Sequence, residues 1–289
     1  MGKRLIIAVG LSVTAIGGVV LAKALTQLVP YEAEYAKSYA YYLLFEPHAW
    51  LIPLAALLGV FVRALSTNSV SEPKSEGGKI IRHDEHMFFS HWSNALSVVI
   101  LAVSGIVLGF LFLPRFVQTP EDVAFAINLH FVASVIFVFG LFYAISDVVI
   151  DGGLKDLLPG ADDVKSSFSY YGSKLGLGPP PKQGKYLASE KMSFPLWVVL
   201  VAGITVTGGI KAAAHLWSFP SEFMAAMTYL HGVCALCLLA MLALHVLLGA
   251  IVPWSWPLMR SMLTGYMSEE YVRENHILWY EDIEEKEDA

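Results

Sequence analysis

Charge and cysteine are both scarce in this chain of 289 residues. Only 15% of its residues are charged while 56% are hydrophobic, and the mean hydropathy is +0.57. Those proportions exclude an ordinary soluble domain, which carries about a quarter charged residues. The only cysteines, Cys234 and Cys237, stand at i, i+3 inside an apolar run, where they read as small buried packing residues rather than a redox pair. No His follows Cys237, so covalent c-type haem attachment is excluded, and two thiols give a zinc cage poor support. Also missing are the ten-residue segments of alternating polarity that a β-barrel would need, and any internal repeat.

Long apolar runs are what the chain has in abundance. Six of them, near 5–27, 49–66, 88–113, 127–150, 192–213 and 225–252, suit the roughly 20 helical residues that cross a hydrocarbon core. The expected fold is an all-α polytopic membrane bundle. Of the 19 Lys and Arg, all but Lys23, Lys37, Arg115 and Lys211 lie at the amino terminus, in the 63–82 and 151–191 loops or after residue 252. Positive charge marks the cytoplasmic face, so both termini are expected inside, in a bacterial inner membrane. The opening "MGKRLIIAVGLSVTAIGGVVLAKA" has the basic start and Ala-Lys-Ala end of a secretory signal, but its apolar run is long for one, and a retained anchor is expected.

Residues 1–70 then read as a transmembrane hairpin around an outside loop rich in Tyr and Glu, and 71–87 as a cytoplasmic linker. Residues 88–252 form a four-helix core with the cytoplasmic loop 151–191, and 253–289 a cytoplasmic tail. Within that loop "LGLGPPPKQGKY" predicts extended chain. Pro253 and Pro257 end the last span, and Ser268-Glu269-Glu270-Tyr271 predicts a short capped helix.

An ionisable residue inside a span is costly and is a functional candidate by default. Four of the nine histidines qualify: His91, His130, His231 and His245. His231 and His245 are fourteen residues apart in one run; fourteen helical residues turn about 1400°, roughly 40° short of four turns, so both point to one face, about 21 Å apart along the axis. With the spans alternating in direction, His91 and His245 fall at the inner level, His130 and His231 at the outer. Each pair comes from two different helices, the arrangement that suits the two axial positions of an iron porphyrin. Gly232 and Gly249, close to the ligands, would let a macrocycle approach the backbone; they serve equally as helix-packing glycines.

Other readings stand beside this one. A lone intramembrane histidine is as readily a hydrogen bond to a neighbouring helix, though two depth-matched pairs are hard to reach by chance. A transporter or proton channel would use the same imidazoles, but such relays usually include buried carboxylates, and the middles of these runs have none; Asp147 lies near an inner end. His48, His83, His86, His215 and His276 sit at helix ends or in loops, where solvated or interfacial histidine is the usual state. His83 and His86, just before His91, are second choices for the inner position.

Several stretches resemble one family. "GGKIIRHDEHMFFSHWSNALSVVILAVSGIVLGF", "INLHFVASVIFVFGLF", "GKYLASEKMSF", "HGVCALCLLAMLALH" and "MRSMLTGYMSEEYVRENHILWYEDIEE" are similar, in order, to the cytochrome b (gamma) subunit of membrane-bound formate dehydrogenases, over roughly 78 to 285. The His-Trp pair alone is shared with hydrogenase and thiosulfate reductase cytochromes; the ordered set is more specific. The resemblance implies two haems b, ligated by His91 with His245 and His130 with His231. It also implies the reaction: electrons pass from a periplasmic catalytic dehydrogenase through an iron–sulfur subunit to the outer haem, the inner haem and a quinone near the cytoplasmic face. The chain would be an electron-transfer subunit rather than an enzyme by itself, its partners those subunits, membrane lipid and quinone, with no nucleic acid. A cytochrome subunit of a hydrogenase or another molybdenum enzyme is the alternative within this class.

One departure bears on the quinone. Where the family loop reads Gly-Lys-Tyr-Asn, with the Asn contacting quinone, this chain has Leu187, followed by Ala188, Ser189, Glu190 and Lys191. Leucine cannot make that hydrogen bond, so the site is altered, supplied by other groups or absent. Tyr186, Glu190 and Lys191 are candidate replacements, with tethering to lipid headgroups the preferred role for the lysines.

Overall fold

The computed structural model describes residues 2–28, 30–32, 39–41, 43–44, 48–66, 75–109 and 117–287. Much of the Tyr- and Glu-rich loop, residues 67–74 at the end of the hairpin and the start of the linker, and Arg115 lie outside the described residues. In chain order the helices are α1 (Gly2–Leu28), α2 (Leu51–Leu65), α3 (Glu85–Gly109), α4 (Pro120–Asp151), α5 (Leu154–Leu157), α6 (Asp163–Lys174), α7 (Ala188–Ala213), α8 (Ser221–Val246), α9 (Trp256–Thr264), α10 (Glu269–Asn275) and α11 (Ile277–Glu287). Five short strands accompany them: β1 (Pro30–Glu32), β2 (Tyr39–Tyr41), β3 (Ser75–Glu76), β4 (Lys79–Ile81) and β5 (Tyr266–Ser268).

Helices α3, α4, α7 and α8 are long and apolar enough to cross a membrane, α8 with the π-helical turn Leu247–Ile251 that continues it. The chain is an all-α membrane helix bundle. At 15 residues α2 falls short of the roughly 20 needed for a span, because Ser66 turns the backbone out of the helix. Helix α4 starts cleanly: Thr119 Oγ1 accepts the Asp122 amide at 3.1 Å, Asp122 Oδ2 accepts the Thr119 amide at 3.2 Å, and Pro120 takes the first helical position.

Small and polar residues make many of the contacts between these helices. Among the side chains α3 buries, Ser90, Ser93, Ser97 and Ser104 are small, and α4 buries Ala124, Ala126 and Ala133 alongside Phe131, Phe137, Val138 and Tyr143. Phe137 and Val138 of α4 cluster with Ala55 of α2, with Val98 and Leu101 of α3 and Val201 of α7 packed against them, and close backbone approach adds to these contacts. A Cβ at Gly140 would come within 2.8 Å of Ser93 Oγ, and one at Gly59 of α2 would strike the Phe139 carbonyl and the Tyr143 amide of α4. Arg63 at the end of α2 completes that second contact. It is buried, and donates from Nε to Asp147 Oδ1 at 2.5 Å and from Nη2 to Asp151 Oδ1 at 2.8 Å.

The segments expected as linker, loop and tail fold together into one cap over the bundle. Strand β4 pairs antiparallel with β3 on one side and β5 on the other, bringing residues 79–81 against 266–268. Ile80, Met267, Val272, Trp279 and Ile283 form an apolar core there. The 71–87 segment is therefore not merely a linker: from residue 75 it is a hairpin that contributes Ile80 to this core and then the first turn of α3. The extended stretch 178–187 lies along the last helices, with Gln183 O accepting the Leu278 amide at 3.0 Å and Gly184 O accepting from His276 Nδ1 at 2.7 Å. Ser268 caps α10, its Oγ accepting the Tyr271 amide at 3.3 Å.

Candidate functional site

The bundle is two helix pairs, α3 on α4 and α7 on α8. Three of the four candidate histidines come from α3 and α8, His91 near the cap end of α3 and His231 and His245 on α8; His130 comes from α4. On the cap side His91 and His245 face one another between the pairs, with ring centres 6.2 Å apart. Aromatic rings stand perpendicular to both: Trp92 to His91 at 5.2 Å and Trp197 of α7 to His245 at 6.0 Å. Trp92 Nε1 also donates to Met262 O of α9 at 3.3 Å, fixing this end of α3 to the cap.

Far from the cap, His130 on α4 and His231 on α8 come one from each helix pair. His130 Nδ1 is 2.8 Å from Ser104 Oγ of α3, and His231 Nδ1 is 3.0 Å from Thr207 Oγ1 of α7. Glycines follow both hydroxyls. A Cβ at Gly105 would stand 3.5 Å from His130 Cε1, and one at Gly208 only 3.2 Å from His231 Cε1. By contrast, a Cβ at Gly232 or Gly249 would meet nothing within 4 Å, so neither is a packing glycine in the bundle.

The donor set can be tested against a metal held in a macrocycle. Among the described residues no group of three or more His, Cys, Asp or Glu converges to cage an ion. Imidazoles in facing pairs are what an iron needs when a planar ring supplies its other ligands. Two metal–nitrogen bonds of about 2 Å, each with the imidazole centre a further ~1.1 Å behind its nitrogen, put ring centres roughly 6 Å apart. The 6.2 Å between His91 and His245 fits that spacing. The residues present therefore suit haem.

The other histidines are placed differently from the expectation of solvated or interfacial side chains. His83, His86 and His276 are buried, while His48 is half-buried and His215 exposed. His86 is engaged with Tyr143, Nδ1 to Oη 2.5 Å, which takes it away from the inner position. His276 is enclosed in the cap; burial, reinforced by Arg82, pushes its imidazole down to about 4. Cys237 is exposed on the bundle surface and Cys234 half-buried, its Sγ so close to Gly203 that a Cβ there would come within 2.9 Å. The expectation of two buried thiols thus fails for Cys237, which faces outward from α8.

Leu187 is buried at the start of α7, its amide donating to Glu190 Oε2 at 2.7 Å. Glu190 also accepts from buried Arg82 Nη2 at 2.8 Å, and Lys191 pairs with Asp163 at 3.8 Å. Tyr186 lies under the Arg82 guanidinium, 5.6 Å from ring centre to Cζ, and burial pushes its hydroxyl up to about 12, so it stays a donor at neutral pH. Its hydroxyl makes no hydrogen bond among the described residues. Of the three candidate replacements for the family Asn, Tyr186 is the one left uncommitted.

Sequence reasoning misses Ser104, Thr207, Gly105 and Gly208. A hydroxyl-Gly dipeptide recurring in two spans, Ser104-Gly105 and Thr207-Gly208, is the signal that would have found them.

No curated protein matches this sequence. The sequence profile of the family described as prokaryotic cytochrome b561 matches residues 82–265, well over half of the chain and all four spanning helices. The chain belongs to that family: it is a membrane cytochrome of the b type, binding haem b and serving electron transfer.

Proposed function

We propose that this chain is the membrane-anchoring di-haem subunit of an oxidoreductase complex, carrying electrons across a bacterial inner membrane between the iron–sulfur subunit of a periplasmic, formate dehydrogenase-type enzyme and the quinone pool. The observation that carries the reading is that His91 and His245 face one another at a spacing suited to one intervening metal, while His130 of α4 and His231 of α8 lie farther from the cap on the same two helix pairs. His91 with His245 would hold one haem b, and His130 with His231 the other. Bound haem supplies reversible one-electron exchange. The protein supplies ligands on separate, rigid helices, a low-dielectric surround and a fixed spacing along α8.

Support for a quinone near the cap comes from Tyr186, a half-buried neutral donor beside Arg82 at the inner end of α7. The positive charge of the cap segments supports placing that side in the cytoplasm. A hydrogenase or another molybdenum enzyme as partner would use the same bundle; co-purification of the native complex tells them apart by the metal and electron donor of the attached subunit.

A reduced-minus-oxidised absorption spectrum with a haem assay tests the core of the reading. Two haems b per chain are expected, one remaining in His231→Ala and one in His91→Ala. A colourless, well-folded protein would end it.

A further inference from the structure

We infer that Ser104 and Thr207 are positioning residues for the far histidine pair: each holds its imidazole as the Nδ1–H tautomer, and together they make the far haem the harder of the two to reduce. The inference rests on the four-histidine haem reading.

The direction of each hydrogen bond follows from the hydroxyl's other contacts. Ser104 Oγ donates to Ile100 O at 2.7 Å, and Thr207 Oγ1 donates to Gly203 O at 2.7 Å; Leu101 O at 3.3 Å and Ile204 O at 3.2 Å share the same protons. A hydroxyl has one proton, and the i−4 carbonyl holds it. Toward the imidazole the oxygen can only accept. His130 and His231 must therefore carry hydrogen on Nδ1, which leaves Nε2 as the lone-pair nitrogen able to ligate iron. Back-bonding serines and threonines are common in spanning helices. What distinguishes these two is that the second side of the oxygen meets a ring nitrogen, while the glycine next in sequence leaves room for the ring edge.

Contrast between the sites gives the arrangement its consequence. Hydrogen bonding from Nδ1–H raises imidazole basicity and favours the higher charge on a ligated metal. Both far histidines have such a bond, whereas His91 and His245 have tryptophan rings set perpendicular to them and, among the described residues, no hydrogen-bond partner. The oxidised state is thus favoured at the far site relative to the cap-side site, and electron flow from far to cap-side runs downhill. Each hydroxyl is also polarised by the carbonyl it donates to, which makes it a better acceptor.

Potentiometric titration of the full-length protein in membranes, followed by absorption, tests this, with the far component identified as the one lost in His130→Ala. Thr207→Val keeps the side-chain shape and removes the acceptor; Ser104→Ala does the same on the other helix. Each is expected to shift the far component toward easier reduction by about tenfold in its one-electron equilibrium, or ~59 mV, with the cap-side component unmoved and Thr207→Ser close to wild type. The low-spin electron paramagnetic signal of the far component should change with it. An unmoved far component in both variants, or equal movement of both components, would overturn the inference while leaving the haems in place. If Thr207→Val loses the far haem entirely, retention by Thr207→Ser supports the seat and its loss there overturns it. Absence of haem from the wild type would instead sink the underlying reading.

Discussion

Replacing Arg63 with methionine should detach the amino-terminal helices from the cytochrome core. The side chain is 3% exposed and its Asp147 partner 6%, with Nε to Oδ1 at 2.5 Å. Methionine keeps the length of the aliphatic stem and leaves the Asp147 carboxylate buried without its cation. Breaking one partner of such a pair costs roughly 3–5 kcal/mol, while replacing both by apolar groups of similar volume is often close to neutral. Asp151, 24% exposed, can turn to water and adds no more than about 1 kcal/mol. The Arg63→Met variant should therefore lose ~3–5 kcal/mol in reversible denaturant unfolding in detergent, and the double variant Arg63→Met, Asp147→Leu should recover most of it. Limited proteolysis should show the loss on the α2 side first. A single variant within about 1 kcal/mol of wild type, or a double variant no better than the single, would refute the claim that this pair is a buried, mutually dependent lock.

Packing glycines make a second set. Gly59→Ala puts a methyl against backbone that cannot yield, and should cost ~1–3 kcal/mol by thermal denaturation, whereas Gly10→Ala, with nothing within 4 Å, should be neutral or slightly stabilising. The cap should weaken in acid. His276 is held neutral by burial with its folded value near 4, below its unfolded ~6.5, so its contribution is complete above pH ~6.5 and is lost as pH falls toward 4, by at most ~3 kcal/mol. Fluorescence of Trp279, 6.1 Å from the His276 ring, followed against denaturant at several pH values checks this, and His276→Asn should flatten the dependence while keeping a donor for Gly184 O. Removing Arg82 should loosen the joint between cap and bundle: Arg82→Met strips donors from Lys185 O and Glu190 at once, and faster proteolysis of the 178–190 segment is the expected outcome.

Helix positions and histidine depths are legible in the sequence because both depend on period and length alone. Fourteen residues on one helix put His231 and His245 on a common face whatever their neighbours do, and alternating spans then assign His91 and His130 to levels. The rotation of one helix against another is not legible in this way. It decides that Ser104 and Thr207 meet imidazoles, that Arg63 reaches Asp147, and that His86 turns to Tyr143 instead of toward His245. The cap is hidden for a different reason. Its sheet joins residues 79–81 to 266–268 across the whole cytochrome core, and strands of two or three residues carry no periodic signal. Hence His83 and His276 read as surface residues from their positions between helices, though the fold buries them.

Two kinds of interior follow from the two solvents. Inside the cap, water drives Ile80, Val272, Trp279 and Ile283 together in the ordinary way. Between the spanning helices lipid supplies no such drive, and α8 buries none of its side chains in the polypeptide. Its place must then be set by other means: contact with α7 along its length, the π turn at 247–251 and the chain that follows into the cap. That same α8 carries a candidate ligand at each depth, His231 and His245. On the proposed reading, a helix fixed by its partner and its end, rather than by a packed apolar face, leaves the space between the helix pairs to the haems that His91, His130, His231 and His245 would hold. Stability of the α3/α4 and α7/α8 halves toward each other should consequently depend on haem far more than the stability of the cap does. Haem-depleted protein should keep the cooperative unfolding of the Trp279 core while the two pairs separate at lower denaturant, and equal loss in both regions would show that α8 is anchored by protein contacts after all.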